Sequence, residues 1–164
     1  MLTVKKLALS TLISSSLLFY PALQASAETP QHVVKQPAGG YSVQVGDVLV
    51  TSFTDGTVAQ DLHKLLRRTT PQNIDALLAK NFQTNPAEVS INAFLIAMPG
   101  HKILVDTGSG QLFGPGNGGR LIESLATQGI KPEDITEVLL THAHSDHAGG
   151  LVKDGKLVFS NARV

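Results

Sequence analysis

Residues Thr141 to Gly150 read THAHSDHAGG and hold three of the chain's six histidines, with an aspartate between the second and the third. At the end of a strand, side chains two positions apart point the same way, so His142 and His144 can present two imidazoles to one cation. Asp146 and His147 follow as the chain turns and can face a neighbouring point. The spacing H-x-H-x-D-H thus sets up two adjacent half-sites, an arrangement that invites two metals. The chain has no cysteine, so any metal must be held by imidazole and carboxylate. That donor set suits Zn²⁺ first and is compatible with Mn²⁺, Co²⁺ or Fe²⁺. A metal pair about 3.5–4 Å apart holds a water and lowers its pKa from about 15.7 towards roughly 7. Hydrolytic chemistry then needs no serine or cysteine nucleophile, and Asp146 is a candidate both as ligand and as proton acceptor. The competing reading, solvated loop histidines, does not account for three His and an Asp so closely spaced.

Three neighbouring features bear on the same site. Gly149 and Gly150 let the backbone bend after the ligands and approach other chain closely. Asp106, in ILVDTGSG, ends a buried strand, where an unpaired carboxylate is costly. It either holds a ligand histidine in the right tautomer or caps the glycine-rich loop that follows it. Asp106-Thr107-Gly108-Ser109 also matches the D-T-G-S of aspartic proteases, in which two carboxylates share a proton; that reading leaves the histidines unexplained. His32, His63 and His101 stand alone in polar or turn contexts and read as ordinary surface histidines.

The elements that must position these residues can be traced from the pattern. YSVQV and VLVTSF read as two strands around Gly46-Asp47, and TDGT at 54–57 as the next turn. Thr70-Pro71 opens a helix, with Ile74, Leu77, Leu78 and Phe82 at helical spacing. VSINAFLIAM and ILVD form a second hairpin around PGHK, apolar enough to suggest burial on both faces. A glycine-rich loop, TGSGQLFGPGNGG, leads into a helix from Arg120 to Gln128 that Gly129 ends as a left-handed cap. EVLL is a buried strand running into the histidines. LVKDGKLVFSNARV is a hairpin around Asp154-Gly155 followed by the start of another strand. The alternation indicates an α/β fold with a sheet partly supplied here.

Composition adds bounds. The 164 residues are 42% hydrophobic and 16% charged, which is that of a folded chain. Residues 1–27 differ: Lys5 and Lys6 precede a Leu- and Ser-rich apolar run, and Ala25-Ser26-Ala27 is a signal-peptidase pattern. They are expected to be a signal peptide cleaved after Ala27, since the run is shorter than a spanning helix requires and meets Pro21. The product is then exported, periplasmic or secreted. Cleavage takes two lysines from 13 Lys+Arg set against 13 Asp+Glu, so the remainder is slightly acidic. No basic stripe offers itself to nucleic acid or, after signal removal, to a membrane. Residues 28–40 read as a flexible lead-in, and 41–164 as the domain.

THAHSDHAGG and ILVDTG resemble the signature of the metallo-β-lactamase-fold hydrolases. GDVLVTSFTDGTV, NAFLI, ILVDTGSGQLFGP and THAHSDHAGGL, in this order, further resemble the methyl parathion hydrolase group, exported organophosphate hydrolases related to quorum-quenching lactonases. The resemblance covers Gly40 to Val164. It implies a four-layer αββα sandwich, of which the chain supplies the N-terminal half, with a dinuclear centre at the edge between the sheets. It also implies that His142 and His144 ligate the first metal, Asp146 and His147 the second, with Asp106 in support. The implied substrate is a small-molecule ester, a phosphotriester or a lactone, and Phe113 is the residue to watch as a pocket wall. Members of the group draw a further histidine, a bridging aspartate and a last histidine from downstream segments without a counterpart here. Two expectations follow: a metal-dependent hydrolase seen as a fragment, or a truncated remnant without activity. A half-sandwich exposes sheet edges and apolar surface, which favours association, with a homodimer as a candidate form.

Overall fold

Alternation in the strands decides which face of the sheet is covered. The computed structural model describes residues 40–164; the expected signal peptide of 1–27, the expected lead-in up to residue 39 and His32 lie outside the described residues. β1 (Gly40–Val45) and β2 (Val48–Gln60) are joined at Gly46-Asp47 as an antiparallel hairpin, so Gly40 opens a strand and does not belong to the lead-in. β3 (Ala87–Met98) pairs antiparallel with β2 and with β4 (His101–Val105). β5 (Glu137–Leu139) lies parallel to β4 and closes a five-stranded sheet in the order β1-β2-β3-β4-β5. A parallel neighbour requires a crossover, and the glycine-rich loop with helix α3 (Leu121–Ala126) supplies it.

Thr51, Phe53, Ala93, Leu95, Leu104 and Val138 point to one face and are buried there. Leu121 and Leu125 of α3, with Ile135 and Phe159, complete that core; each large aliphatic side chain so buried contributes about 1.5–3 kcal/mol. Among the described residues the other face stays open: Phe94 and Leu139 are 45% and 52% exposed. The apolar run of β3 is therefore buried on one face only, contrary to the expectation from its composition, because helix and loop pack on a single side.

TDGT at 54–57 is not a turn. β2 continues through it with a register shift against β3 between Thr54 and Gly56, a bulge that bends the strand without ending it. The reason is tertiary: Asp55 turns inward and is 1% exposed.

Both expected helices form, α3 as Leu121–Ala126 where 120–128 was expected. α1 (Leu62–Leu65) precedes α2 (Pro71–Lys80), which starts at Thr70, whose hydroxyl accepts the Asn73 N–H at 3.2 Å. Ile74 and Leu78 of α2 are buried in a small separate cluster, whereas Leu77 and Phe82 are exposed. Helical spacing thus named four apolar positions, and burial uses two. Gly129 has φ 69° after α3, the left-handed cap expected of it. After β5 the chain forms one short helix, α4 (Ser145–Ala148), then the hairpin of β6 (Val152–Lys153) and β7 (Lys156–Leu157). The last expected strand is present only as an isolated parallel bridge from Arg163 to Glu137. Among the described residues no helix is long and apolar enough to cross a membrane.

Candidate metal centre

β4 and β5 end side by side, and the site is built on their ends. Asp106 directly follows β4, where its N–H donates to the Leu139 carbonyl at 2.8 Å. Its φ of 62° is left-handed, a conformation that costs a non-glycine residue free energy and persists when surrounding bonds over-determine it. Those bonds are present: Thr141 N–H donates to Oδ1 at 2.8 Å, and the Thr141 hydroxyl reaches both carboxylate oxygens at 2.9 and 3.0 Å. His147 Nδ1 lies 2.8 Å from Oδ2. Burial pushes the Asp106 carboxyl up, but the bonds from His147 and Thr141 outweigh it and hold the group below the usual carboxylate value.

An ionised Asp106 accepts a hydrogen bond from His147 Nδ1–H, which leaves Nε2 as the free end of that ring. Nε2 stands 3.2 Å from Asp146 Oδ2, so whatever joins the two must be positive. Here α4 matters: the segment holding Asp146 and His147 is a helical turn, not a continuing strand, and the turn brings the carboxylate and the ring end together. His142 and His144 precede that helix in open loop and are exposed. Their nitrogens meet, His142 Nε2 to His144 Nδ1 at 3.1 Å. Two nitrogens held at about 2.0–2.1 Å on one tetrahedral zinc would stand about 3.3 Å apart, so this pair fits a shared cation. The rings of His142 and His147 are 3.9 Å apart between centroids, and the two donor pairs are adjacent. Among the described residues no group of three or more His, Asp or Glu side chains gathers around one point; each pair offers two donors.

The glycines that follow are packed rather than free. A Cβ at Gly150 would overlap the Thr107 carbonyl oxygen, and one at Gly149 the Ser109 carbonyl oxygen. Thr107 N–H and hydroxyl both donate to the His147 carbonyl, at 2.7 and 2.9 Å, and Gly150 N–H donates to the Gly108 carbonyl at 3.1 Å. The ligand segment and the 107–110 segment are thus laid backbone against backbone. This use of Thr107 and Ser109, with the Asp106 carboxylate engaged by an imidazole, leaves the D-T-G-S stretch nothing of a protease dyad.

Of the other candidates, Phe113 is half-buried in the glycine-rich loop, and its carbonyl accepts from Asn117. The neighbouring Leu112, 64% exposed, stands against the end of the histidine segment, its Cδ1 3.0 Å from where a Gly149 Cβ would be. His63 binds Asp75 at 2.8 Å and His101 binds Glu137 at 3.1 Å, both away from the cluster. The glycine-rich loop is tied not by Asp106 but by Asp55, a residue sequence reasoning passed over as part of a turn. The signal was an acid and a glycine set inside a long apolar strand.

Known proteins can now be set beside this geometry. Residues 86–153, which include β3, β4 and the whole histidine cluster, match the family described as the metallo-beta-lactamase superfamily. The crystal structure of hydrolase AbOPH in the beta lactamase superfamily is similar over 78% of this chain and 44% of its own, with 37% identity and a TM-score of 0.70. AidC, a dizinc quorum-quenching lactonase solved with a product, matches over the same shares with 32% identity and a TM-score of 0.68. Metallo-beta-lactamase domain-containing protein 1 of Mus musculus is 52% identical over 61 residues, 36% of this chain and 22% of that protein. The chain spans less than half the length of each of these relatives. The family match and the two structural similarities give one conclusion: the chain belongs to the metallo-beta-lactamase superfamily and has the mixed α/β fold of part of its sandwich.

Proposed function

We propose that this chain carries the ligand segment of an exported, metal-dependent hydrolase that cleaves an ester-type bond in a small molecule, a phosphotriester or a lactone. The observation that carries the reading is the pairing of donors: His142 Nε2 with His144 Nδ1 at 3.1 Å, and His147 Nε2 with Asp146 Oδ2 at 3.2 Å. Asp106 supports it by fixing which end of His147 is free. Bound there, a divalent ion such as Zn²⁺ supplies Lewis acidity and hydroxide at neutral pH. The protein's own part is to hold two imidazoles on one cation and an imidazole with a carboxylate on its neighbour. Asp146 is the group placed to take a proton. The solved hydrolase that the fold resembles supports hydrolysis, the solved lactonase supports the lactone class, and the same dizinc lactonase supports a two-metal site.

The test uses the whole chain. Titration with Zn²⁺ or Co²⁺ is expected to show uptake of at least one equivalent, reduced by half or more on His142→Ala. Chelator-sensitive cleavage of an aryl phosphotriester or an acyl lactone is expected with it. Uptake below one equivalent, with neither substrate cleaved, overturns the reading. A second reading rests on the two donors per pair, since catalytic zinc usually has three protein ligands: a metal-binding segment without turnover. Stoichiometric uptake with no cleavage of either substrate selects it.

A further inference from the structure

Asp55 is 1% exposed and, beyond tying the glycine-rich loop, is not one of the donors of the candidate metal centre. Among the described residues no lysine or arginine forms an ion pair with the Asp55 carboxylate. Ser109 N–H and hydroxyl both donate to Oδ2 at 2.9 Å, Gly119 N–H donates to Oδ2 at 2.8 Å, and Leu121 N–H donates to Oδ1 at 2.9 Å. The Asp55 carbonyl also accepts from Arg120 N–H at 2.8 Å. Four charge-assisted bonds offset the cost of burying the charge. They come from both ends of the loop, so a single side chain closes the loop at its base and starts helix α3.

The loop's glycines make room for that carboxylate. A Cβ at Gly108 would lie within the Asp55 carboxyl group, and one at Gly118 would overlap Ser109 Oγ and come 2.8 Å from Asp55 Oδ2. On its opposite side, the same 107–110 strip holds the ligand segment. Thr107 binds the His147 carbonyl, Gly108 receives the Gly150 N–H, and Ser109 and Gly110 lie in backbone contact with Gly149. One strip of four residues therefore has Asp55 on one side and residues 147–150 on the other.

We propose that Asp55 is a positioning residue for the metal-ligating segment, acting through residues 107–110. Its charge fixes the strip, and the strip fixes the backbone of His147. The link to metal rests on the functional reading above; the link to the His147 backbone does not.

The experiment is amide hydrogen exchange on the full chain, with Co²⁺ titration beside it. Asp55→Asn keeps the shape but turns an amide NH₂ towards N–H donors. Exchange is expected to speed by about tenfold at Ser109, Gly119 and Leu121, and also at Thr107 and Gly150, while the β2–β3 ladder is unchanged. Co²⁺ affinity is expected to fall by about tenfold, the lower end for groups that act behind a ligand. Acceleration confined to Ser109, Gly119 and Leu121 overturns the proposal, as does uniform acceleration that includes the ladder. Should Asp55→Asn fail to fold, Ser109→Ala removes one of the four bonds. A rise of about threefold at Thr107 and Gly150 then supports the proposal, and unchanged exchange there overturns it. If the unaltered chain takes up no Co²⁺, the metal reading fails, and exchange at Thr107 and Gly150 alone decides the role of Asp55.

Discussion

The chain buries two carboxylates around one loop, and it uses them differently. Asp55 is met by backbone N–H groups and a serine hydroxyl, all fixed dipoles, and its surroundings are closed by glycines packed against it. Asp106 is met by Thr141 and by an imidazole whose other end faces the Asp146 carboxylate. The first arrangement locks a backbone; the second orients a ring that still has a bond to make. A rigid support beneath an incompletely satisfied donor set is what a binding centre needs, because the ligands must be held while their free ends stay accessible. The satellite formed by α1 and α2 makes a third case. There Asp61, held by Asn85 and Lys64, sits on the surface and caps a helix without any tie to the centre.

The comparison is broken most severely where the two backbones touch. Gly150→Ala places a methyl on the Thr107 carbonyl, and neither strand of backbone can withdraw without losing its bonds. A loss of about 3 kcal/mol or more in chemical denaturation is expected, together with loss of Zn²⁺ uptake. Retained stability would show that the two segments are not held together in solution. Asp106→Asn is expected to act on the centre more selectively. It removes the charge that selects the His147 tautomer, and metal affinity should fall by about 10–100-fold in a chelator competition. An unchanged affinity would assign Asp106 to backbone support alone.

The smallest effect is expected at the satellite, and it depends on pH. Asn85 and Lys64 lower the Asp61 pKa from 3.8 to about 2. A carboxyl depressed in the fold stabilises it above the unfolded value and loses that contribution as pH falls through the folded one. Protection of the α1 amides should thus hold at pH 5 and decline between pH 3.8 and about 2. Asp61→Asn should flatten that decline and leave the histidine segment untouched.

Much of the site was legible because ligand chemistry is local. Three histidines and an aspartate within six positions pointed to a cation by their chemistry alone, whatever fold surrounded them. The hairpins, the Thr70 cap and the Gly129 stop were legible for the same reason, since each depends on residues adjacent in sequence. The errors share a cause. TDGT reads as a turn by its own residues, yet the Asp55 donors lie more than fifty positions away. The apolar β3 reads as buried on both faces, yet its burial depends on which elements pack there. Asp106 was left between two roles, and the distribution of donors assigned one to it and the other to Asp55.

The sequence by itself determined the donor types, their spacing, the absence of thiolate chemistry and the strand-loop-helix order, because these follow from side-chain chemistry and short-range geometry. The tertiary structure decided which nitrogen of His147 meets a carboxylate at Asp106, which carboxylate orients that ring and which one closes the loop. Those outcomes rest on hydrogen bonds between segments distant along the chain, and local pattern carries no information about which distant donor will arrive.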